Sequence, residues 1–272
     1  MQSKRTPLTY YGGKTQIVDE VLKQFPPHDC YVEVFGGGMA ALLHKPRSNK
    51  EVYNDKGLVA KFFKVLRDHG SELERRLLLS PYSYDEYRSC VDGWPSMLES
   101  GDMIEWARMW FVTISQSFTH IETGGSWRTG STVNVAQAFA NKVDILYSTA
   151  ERLRSVIIEN SDFDFVFDTY DGEEVLFYCD PPYMPTSRIS NQRYTHEMSI
   201  EDHYRFLWSL RKLKGQAVVS GFDHEMYNDF LYDWRRVEIE RKFSITNNST
   251  SDHMRTKTEV LWIKEHHAGL WT

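Results

Sequence analysis

Cys30-Tyr31-Val32-Glu33-Val34-Phe35 runs straight into Gly36-Gly37-Gly38 and then into Met39-Ala40-Ala41-Leu42-Leu43. The first six residues predict a short buried strand, and the last five predict a helix. The glycines between them let the backbone turn sharply. A strand feeding a helix through such a turn is the opening of a parallel α/β sheet. Glu51-Val52-Tyr53-Asn54 predicts a second strand, ended by Asp55, whose side chain is placed to cap a helix over Leu58–Leu66. Upstream, Ile17, Val18, Val21, Leu22 and Phe25 have helical spacing within residues 14–25.

The pattern then changes. Residues 71–117 read as helical, with Trp106, Trp110, Phe111 and Ile114 as an apolar stripe for core packing. Residues 118–134 are rich in Thr, Ser and Gly and predict a hairpin or exposed loop. Residues 135–153 return to helix. Strands resume at 155–159, 174–179, 216–220, 237–243 and 259–263, with a helix at 200–213 between two of them. The expected fold is α/β: a Rossmann-like mixed seven-stranded sheet, helices on both faces, and an inserted, mostly helical unit with a β-hairpin. Residues 1–60 and 150–272 would form the sheet domain, and 61–149 the insertion. A chain of 272 residues is long enough for this without staples.

Composition excludes several classes. The three cysteines, Cys30, Cys90 and Cys179, are widely spaced, and no CxxC pair exists. A disulfide framework or structural zinc site is not expected, and a reducing cytoplasm is. His120, His196 and His203 form no metal-ligand spacing, so no metal is expected. No run of 18 apolar residues is present, and the first seven residues do not resemble a secretory signal. A net charge of -6, from 32 basic and 38 acidic residues, argues against a broad nucleic-acid coat but permits a local basic face. Residues 234–264 hold seven basic residues against four acids, either a solvated edge or a phosphate-facing surface.

Two motifs carry chemistry. The stretch Gly36-x-Gly38-x-x-Ala41 lies between strand and helix, and Asp55 lies 19 residues after Gly36 at the end of the next strand. An acid there can hydrogen-bond ribose hydroxyls, so the pair points to a nucleoside-containing cofactor. The turn alone does not separate a dinucleotide from S-adenosylmethionine, although the cationic sulfonium and ammonium of the latter tolerate an acid such as Glu33.

The second motif is Asp180-Pro181-Pro182-Tyr183, directly after a hydrophobic strand. Two prolines fix the backbone and remove two donors. That leaves an anionic acceptor and a rigid carbonyl beside an aromatic face, a set suited to an amino group on a flat ring. The exocyclic amine of adenine is a poor nucleophile because its lone pair is delocalised into the ring. Acceptors at Asp180 and Pro181 would turn the nitrogen toward sp³, and its lone pair toward an incoming methyl group. Tyr183 can stack on the base, which must leave the duplex to reach it. Cys179 beside the motif reads as strand packing rather than a nucleophile.

Tyr10-Tyr11-Gly12-Gly13-Lys14, Glu33 to Gly38, Asp55, Asp162-Phe163 and Asp180 to Tyr183 occur in one order. This resembles the Dam-type (D12 class) N6-adenine DNA methyltransferases over about residues 8–264. Arg193-Tyr194-Thr195-His196, Asp202-His203 and Ser220-Gly221-Phe222-Asp223 are similar to the family as well. The resemblance implies methyl transfer from S-adenosyl-L-methionine to adenine N6 in double-stranded DNA, directly, with no covalent enzyme intermediate. It implies that Tyr10, Tyr11, Lys14, Glu33, Phe35, Gly36 and Gly38 line the cofactor site and that Asp55 holds the ribose. Asp162 would accept from the cofactor adenine with Phe163 beside the ring, and Asp180 would bind the target amine near the cofactor's methionine part. A sulfonium is already an activated leaving group, so this chemistry needs no metal.

The insertion departs from the family members that read GATC. Those carry an Asn/Arg-rich hairpin and a Lys before the N-terminal aromatic; here that position is Thr9. The candidate DNA contacts are Thr9, Gln116, Phe118, Trp127, Arg128 and Asn134. Arg128 has the geometry to read guanine and Gln116 adenine, while Phe118 or Trp127 could fill the gap left by a flipped base. Expected partners are double-stranded DNA, no membrane, and a cognate restriction endonuclease, with the chain a monomer or homodimer and the setting a prokaryotic or phage-infected cytoplasm. The rival readings are methylation of another amine (cytosine N4, RNA adenine, a protein amide) and a catalytically silent DNA-binding module.

Overall fold

The computed structural model describes residues 6–8, 14–120, 122–130, 133–184, 198–244 and 254–265. The elements run α1 (Val18–Leu22), β1 (Cys30–Glu33), α2 (Ala40–His44), β2 (Lys50–Asn54), α3 (Leu58–Leu78), α4 (Tyr84–Ser100) and α5 (Met103–Gln116). They continue with α6 (Val135–Val143), α7 (Leu146–Leu153), β3 (Val156–Glu159), α8 (Phe163–Tyr170), β4 (Val175–Cys179), α9 (Ile200–Lys212), β5 (Gln216–Gly221), α10 (Glu225–Phe230), β6 (Arg235–Ser244) and β7 (Met254–Lys264). The seven strands form one mixed sheet in the order β3-β2-β1-β4-β5-β7-β6. Strands β2, β1, β4 and β5 pair parallel, whereas β7 pairs antiparallel with both β5 and β6.

The chain divides into two compact units. One comprises residues 16–36, 46–54 and 161–272. Its parallel strands are buried on both faces, so they read as continuous apolar runs rather than alternating ones. Val32, Phe177 and Val219 face α8 and α9, where Phe167 meets Phe177 at 5.2 Å and Phe163 meets Phe206 at 5.5 Å, both edge-on. Tyr31 and Tyr178, one residue out of phase, meet Phe25 at 5.7 and 5.3 Å. The period-2 alternation of the strand thus supplies a core on each side.

The other unit comprises residues 1–15, 37–45 and 55–160 and is mostly helical. The Trp106, Trp110, Phe111 and Ile114 stripe is fully buried. Phe62 stacks on Phe111 at 5.6 Å and meets Trp110 at 5.4 Å. The predicted helix Leu58–Leu66 continues to Leu78, bending at His69, where the backbone leaves helical geometry. The next residue, Gly70, packs so closely on α7 that a Cβ would lie 2.6 Å from the Ala150 Cβ. Helices α4 and α5 begin on side-chain caps from Ser83 and Asp102. Arg108 of α5 pairs with Glu86 and Glu105, fastening the two helices together. In the stretch expected to be a hairpin or exposed loop, the described residues form an antiparallel bridge between Ser117 and Trp127, with the Phe118 amide donating to the Ser126 carbonyl at 2.8 Å and the Arg128 amide to the Gln116 carbonyl at 2.9 Å.

Lys142 of α6 is anomalous in this unit. Its ammonium is buried and has no hydrogen-bond partner among the described residues. Burial, aided by repulsion from Arg128, pulls its pKa down to about 8. An unfolded lysine titrates near 10.4, so between these values the unfolded chain binds more protons and stability rises with pH. Lys142→Met should therefore stabilise the protein by on the order of 2–3 kcal/mol below pH 8, with the gain vanishing by about pH 10.5. Urea unfolding of both proteins at pH 7 and pH 10 checks this; a pH-independent difference would refute it.

Candidate active site

Strand order reverses between β1 and β4: the chain goes from β1 to β2 on one side and later adds β4 on the other. Open parallel sheets bind ligands at such a point, beyond the carboxyl ends of the strands. Both chemical motifs emerge there. Glu33 of β1 is in register with Tyr178 of β4, and the Val34 amide donates to the Tyr178 carbonyl at 2.9 Å. The segments that follow β1 and β4, residues 34–36 and 180–183, therefore leave the sheet side by side.

Local contacts explain the glycine turn. The Gly36 amide donates to the Asn54 carbonyl at 2.8 Å, bringing the backbone against β2. A Cβ on Gly36 would lie 2.0 Å from Cε2 of the buried Tyr53. Gly37 follows at φ 45, in the left-handed region that favours glycine. Glu33 is buried and accepts a 2.9 Å hydrogen bond from the Tyr31 hydroxyl, which burial and the nearby Glu33 charge hold well above its usual pKa. Phe35 is half-buried and meets Phe163 at 5.9 Å and Phe206 edge-on at 5.4 Å. Lys14 is buried. Thr9, Tyr10, Tyr11 and residues 193–196 lie outside the described residues.

Asp55 directly follows β2. It does not cap α3 as expected: Gly57 holds the N-cap position without a side-chain bond. The carboxylate instead accepts from the Gly57 amide at 2.8 Å and the Gly37 amide at 3.1 Å, bracing the glycine turn. The preceding residue, Asn54, is buried and was missed as a site residue. Its side-chain amide donates to the Val34 carbonyl at 2.8 Å and the Ser161 carbonyl at 3.1 Å, and its oxygen accepts from the Ser161 amide at 2.9 Å. One side chain thus joins the ends of β1 and β2 to the turn that carries Asp162.

Asp162 caps α8 and accepts from the Asp164 amide at 3.3 Å. It also pairs with Arg205 at 3.1 Å, and the guanidinium lies 4.4 Å from the centre of the Phe163 ring. Arg205 also pairs with Asp164 and Asp202. Phe163 is buried. An adenine accepted by Asp162 would share that carboxylate with Arg205.

Beyond β4, Asp180 is half-buried, and its charge adds to burial in pushing the Cys179 thiol far up, so the thiol stays protonated. A small, partly open pocket adjoins the motif, lined by Pro181, Pro182, Tyr183, Ser220, Phe222 and His224 among others. Tyr183 meets Phe222 with ring centres 4.3 Å apart and planes at 53°. Its hydroxyl donates to Glu259 Oε1 at 2.8 Å.

In the helical unit, Gln116 is buried, donates to the Pro81 carbonyl at 3.2 Å and accepts from the Trp127 indole at 3.3 Å. Trp127 sits against Tyr82 at 5.6 Å and Tyr84 at 5.9 Å. Asn134 caps α6. These three engage the protein's own groups. Phe118 is 70% exposed and Arg128 half-buried, both beside the bridge.

The family model for D12 class N6 adenine-specific DNA methyltransferases matches residues 10–67 and 122–245. The chain belongs to this family. It is an adenine-specific DNA methyltransferase, and its substrate is DNA. The comparison with curated proteins returned no match. Residues 68–121, from just before the His69 bend of the methyltransferase through α4, α5 and Phe118, lie outside the family match. Among the described residues, no helix is long and apolar enough to cross a membrane.

Proposed function

We propose that the enzyme transfers a methyl group from S-adenosyl-L-methionine to N6 of an adenine swung out of double-stranded DNA. The observation that carries this reading is the emergence of the two turns from adjacent strands β1 and β4. One turn suits a nucleoside cofactor, and the other suits an amine on a flat ring. Direct transfer requires those two sites to adjoin.

The donor set fits this cofactor. Backbone amides and the acids Glu33 and Asp55 suit a cation and a ribose diol, whereas a pyrophosphate would meet two carboxylates against the single cation Lys14. When bound, the cofactor supplies a methyl group on a sulfonium that departs as a neutral sulfide. Asp55 would hold the ribose, and Asp162 would accept the cofactor's adenine amine with Phe163 beside the ring. Tyr10, Tyr11 and Lys14 would line the site from the N-terminal segment. The Asp180 carboxylate and Pro181 carbonyl would accept the two N–H bonds of the target amine and hold its lone pair toward the methyl group. Tyr183 would stack on the base, a contact worth roughly 1–3 kcal/mol.

Residues 61–149 would act as the recognition domain inserted in the catalytic one. Exposed Phe118 is the best placed of the candidates to fill the gap left in the duplex, and Arg128 to read guanine. Gln116 and Trp127 support the loop that carries them.

Expression in a methylation-free bacterial host, with modified bases mapped by single-molecule sequencing, tests the reading. N6-methyladenine at one short motif is the expected result. Soluble protein that binds S-adenosylmethionine yet leaves host adenines unmodified would overturn it. Asp55→Ala should weaken S-adenosylmethionine binding by about tenfold or more, the loss of one charge-assisted hydrogen bond. Calorimetric titration measures this, and an unchanged Kd would remove Asp55 from the ribose role.

A further inference from the structure

Glu259 is the deepest carboxylate near the Asp180–Tyr183 motif. It lies in β7, is 1% exposed, and falls outside the family match. Its neighbour Val260 is in register with Gly221 at the end of β5. The Glu259 side chain reaches Tyr183 and Ser220, two residues that line the pocket beside the motif. One oxygen, Oε1, accepts from the Tyr183 hydroxyl at 2.8 Å and from the Ser220 hydroxyl at 2.7 Å. Burying a carboxylate is costly unless it is hydrogen-bonded, and leucine or valine would serve β7 better as packing alone.

The contact acts on one degree of freedom. The two prolines fix the backbone that leads to Tyr183, so the ring's orientation is set by its side-chain bonds and the contacts made there. A tether on the phenol oxygen fixes that orientation. It also holds the ring at 53° to Phe222, rather than letting it collapse face to face across 4.3 Å. Two stacked layers need roughly 3.4 Å each, the base spacing of one DNA strand, so these rings must part to admit a base between them. The tethered ring is the wall that stays.

We propose that Glu259 is a positioning residue that fixes Tyr183 as the stationary wall of the base site and thereby sets the angle at which the target amine meets Asp180. The inference rests on the adenine-methylation reading above. Misplacement of a reacting atom by about an ångström can cost a hundredfold in rate, so a loosened wall acts on kcat before binding.

The test uses the full chain, unmethylated genomic DNA and labelled S-adenosylmethionine. Glu259→Leu removes both acceptor oxygens at similar bulk, and Tyr183→Phe removes only the hydroxyl. Each should lower kcat by about tenfold, with KM for DNA and Kd for S-adenosylmethionine within threefold of wild type. The double variant should be no slower than Glu259→Leu alone, because that variant already breaks the bond Tyr183→Phe removes, along with the Ser220 bond. Glu259→Gln keeps an acceptor oxygen and should recover most of kcat. Losses that multiply in the double variant, or a Tyr183→Phe enzyme with wild-type kcat, would overturn the proposal; the latter holds even if Glu259→Leu does not fold. Wild-type protein that methylates no adenine would instead overturn the reading beneath it.

Discussion

Asp180→Ala should lose at least a thousandfold in methyl incorporation while melting within a few degrees of wild type. Asp180 lies just past the end of β4, is half-buried, and adds nothing to the apolar packing of Phe177 and Cys179 behind it. Its removal leaves the sheet intact. It takes away the anionic acceptor that would make a delocalised amine nucleophilic. Removing one preorganised group at a reacting centre typically costs a hundred- to a thousandfold, and here the group also orients the nucleophile. Labelled methyl transfer to unmethylated DNA, paired with thermal melting, measures both halves. A variant retaining more than a tenth of wild-type turnover would remove Asp180 from the chemistry.

Gly36→Ala should be the most damaging small substitution in the turn, costing about 3 kcal/mol or more of stability. The added carbon would lie 2.0 Å from Cε2 and 2.5 Å from Cδ2 of Tyr53. That ring is wholly buried in β2 and has no open space into which to swing. Backbone movement is also blocked, because the Gly36 amide is bonded to the Asn54 carbonyl at 2.8 Å. Urea unfolding reads the loss directly, and an unchanged midpoint would show that the turn is looser than its contacts imply.

What could be read from the chain alone follows from how local each signal is. Strands β1, β2, β4 and β5 announce themselves as apolar runs ended by glycine or acid, and Asp180–Tyr183 is contiguous. The helix at Leu58 and helix from residue 71 onward were both legible, but not that they join through a bend at His69, beside which Gly70 packs on Ala150 of a helix distant in sequence. The 118–134 stretch was legible only as a hairpin or exposed loop, since Thr, Ser and Gly mark turns without saying how many residues pair. Asp55 as a helix cap was a reasonable local reading, but the competing partner is the Gly37 amide, 18 positions away. Glu259 stands 76 positions from Tyr183 and Arg205 stands 43 from Asp162, so register across the sheet creates those contacts. The available hint for Glu259 was a single acid heading the apolar run Val260-Leu261-Trp262-Ile263.

The placement of β7 bears on how the protein is made. Among the described residues β7 comes last in sequence, yet it lies between β5 and β6 rather than at an edge. While the ribosome is still translating residues before 254, β6 has no neighbour in the sheet, and the carboxylate beneath Tyr183 does not yet exist. Domains fold during synthesis as their pieces emerge, and among the described strands β7 emerges last. A nascent chain that ends before β7 would lack the Glu259 carboxylate under Tyr183 and the antiparallel partner that β7 gives both β5 and β6.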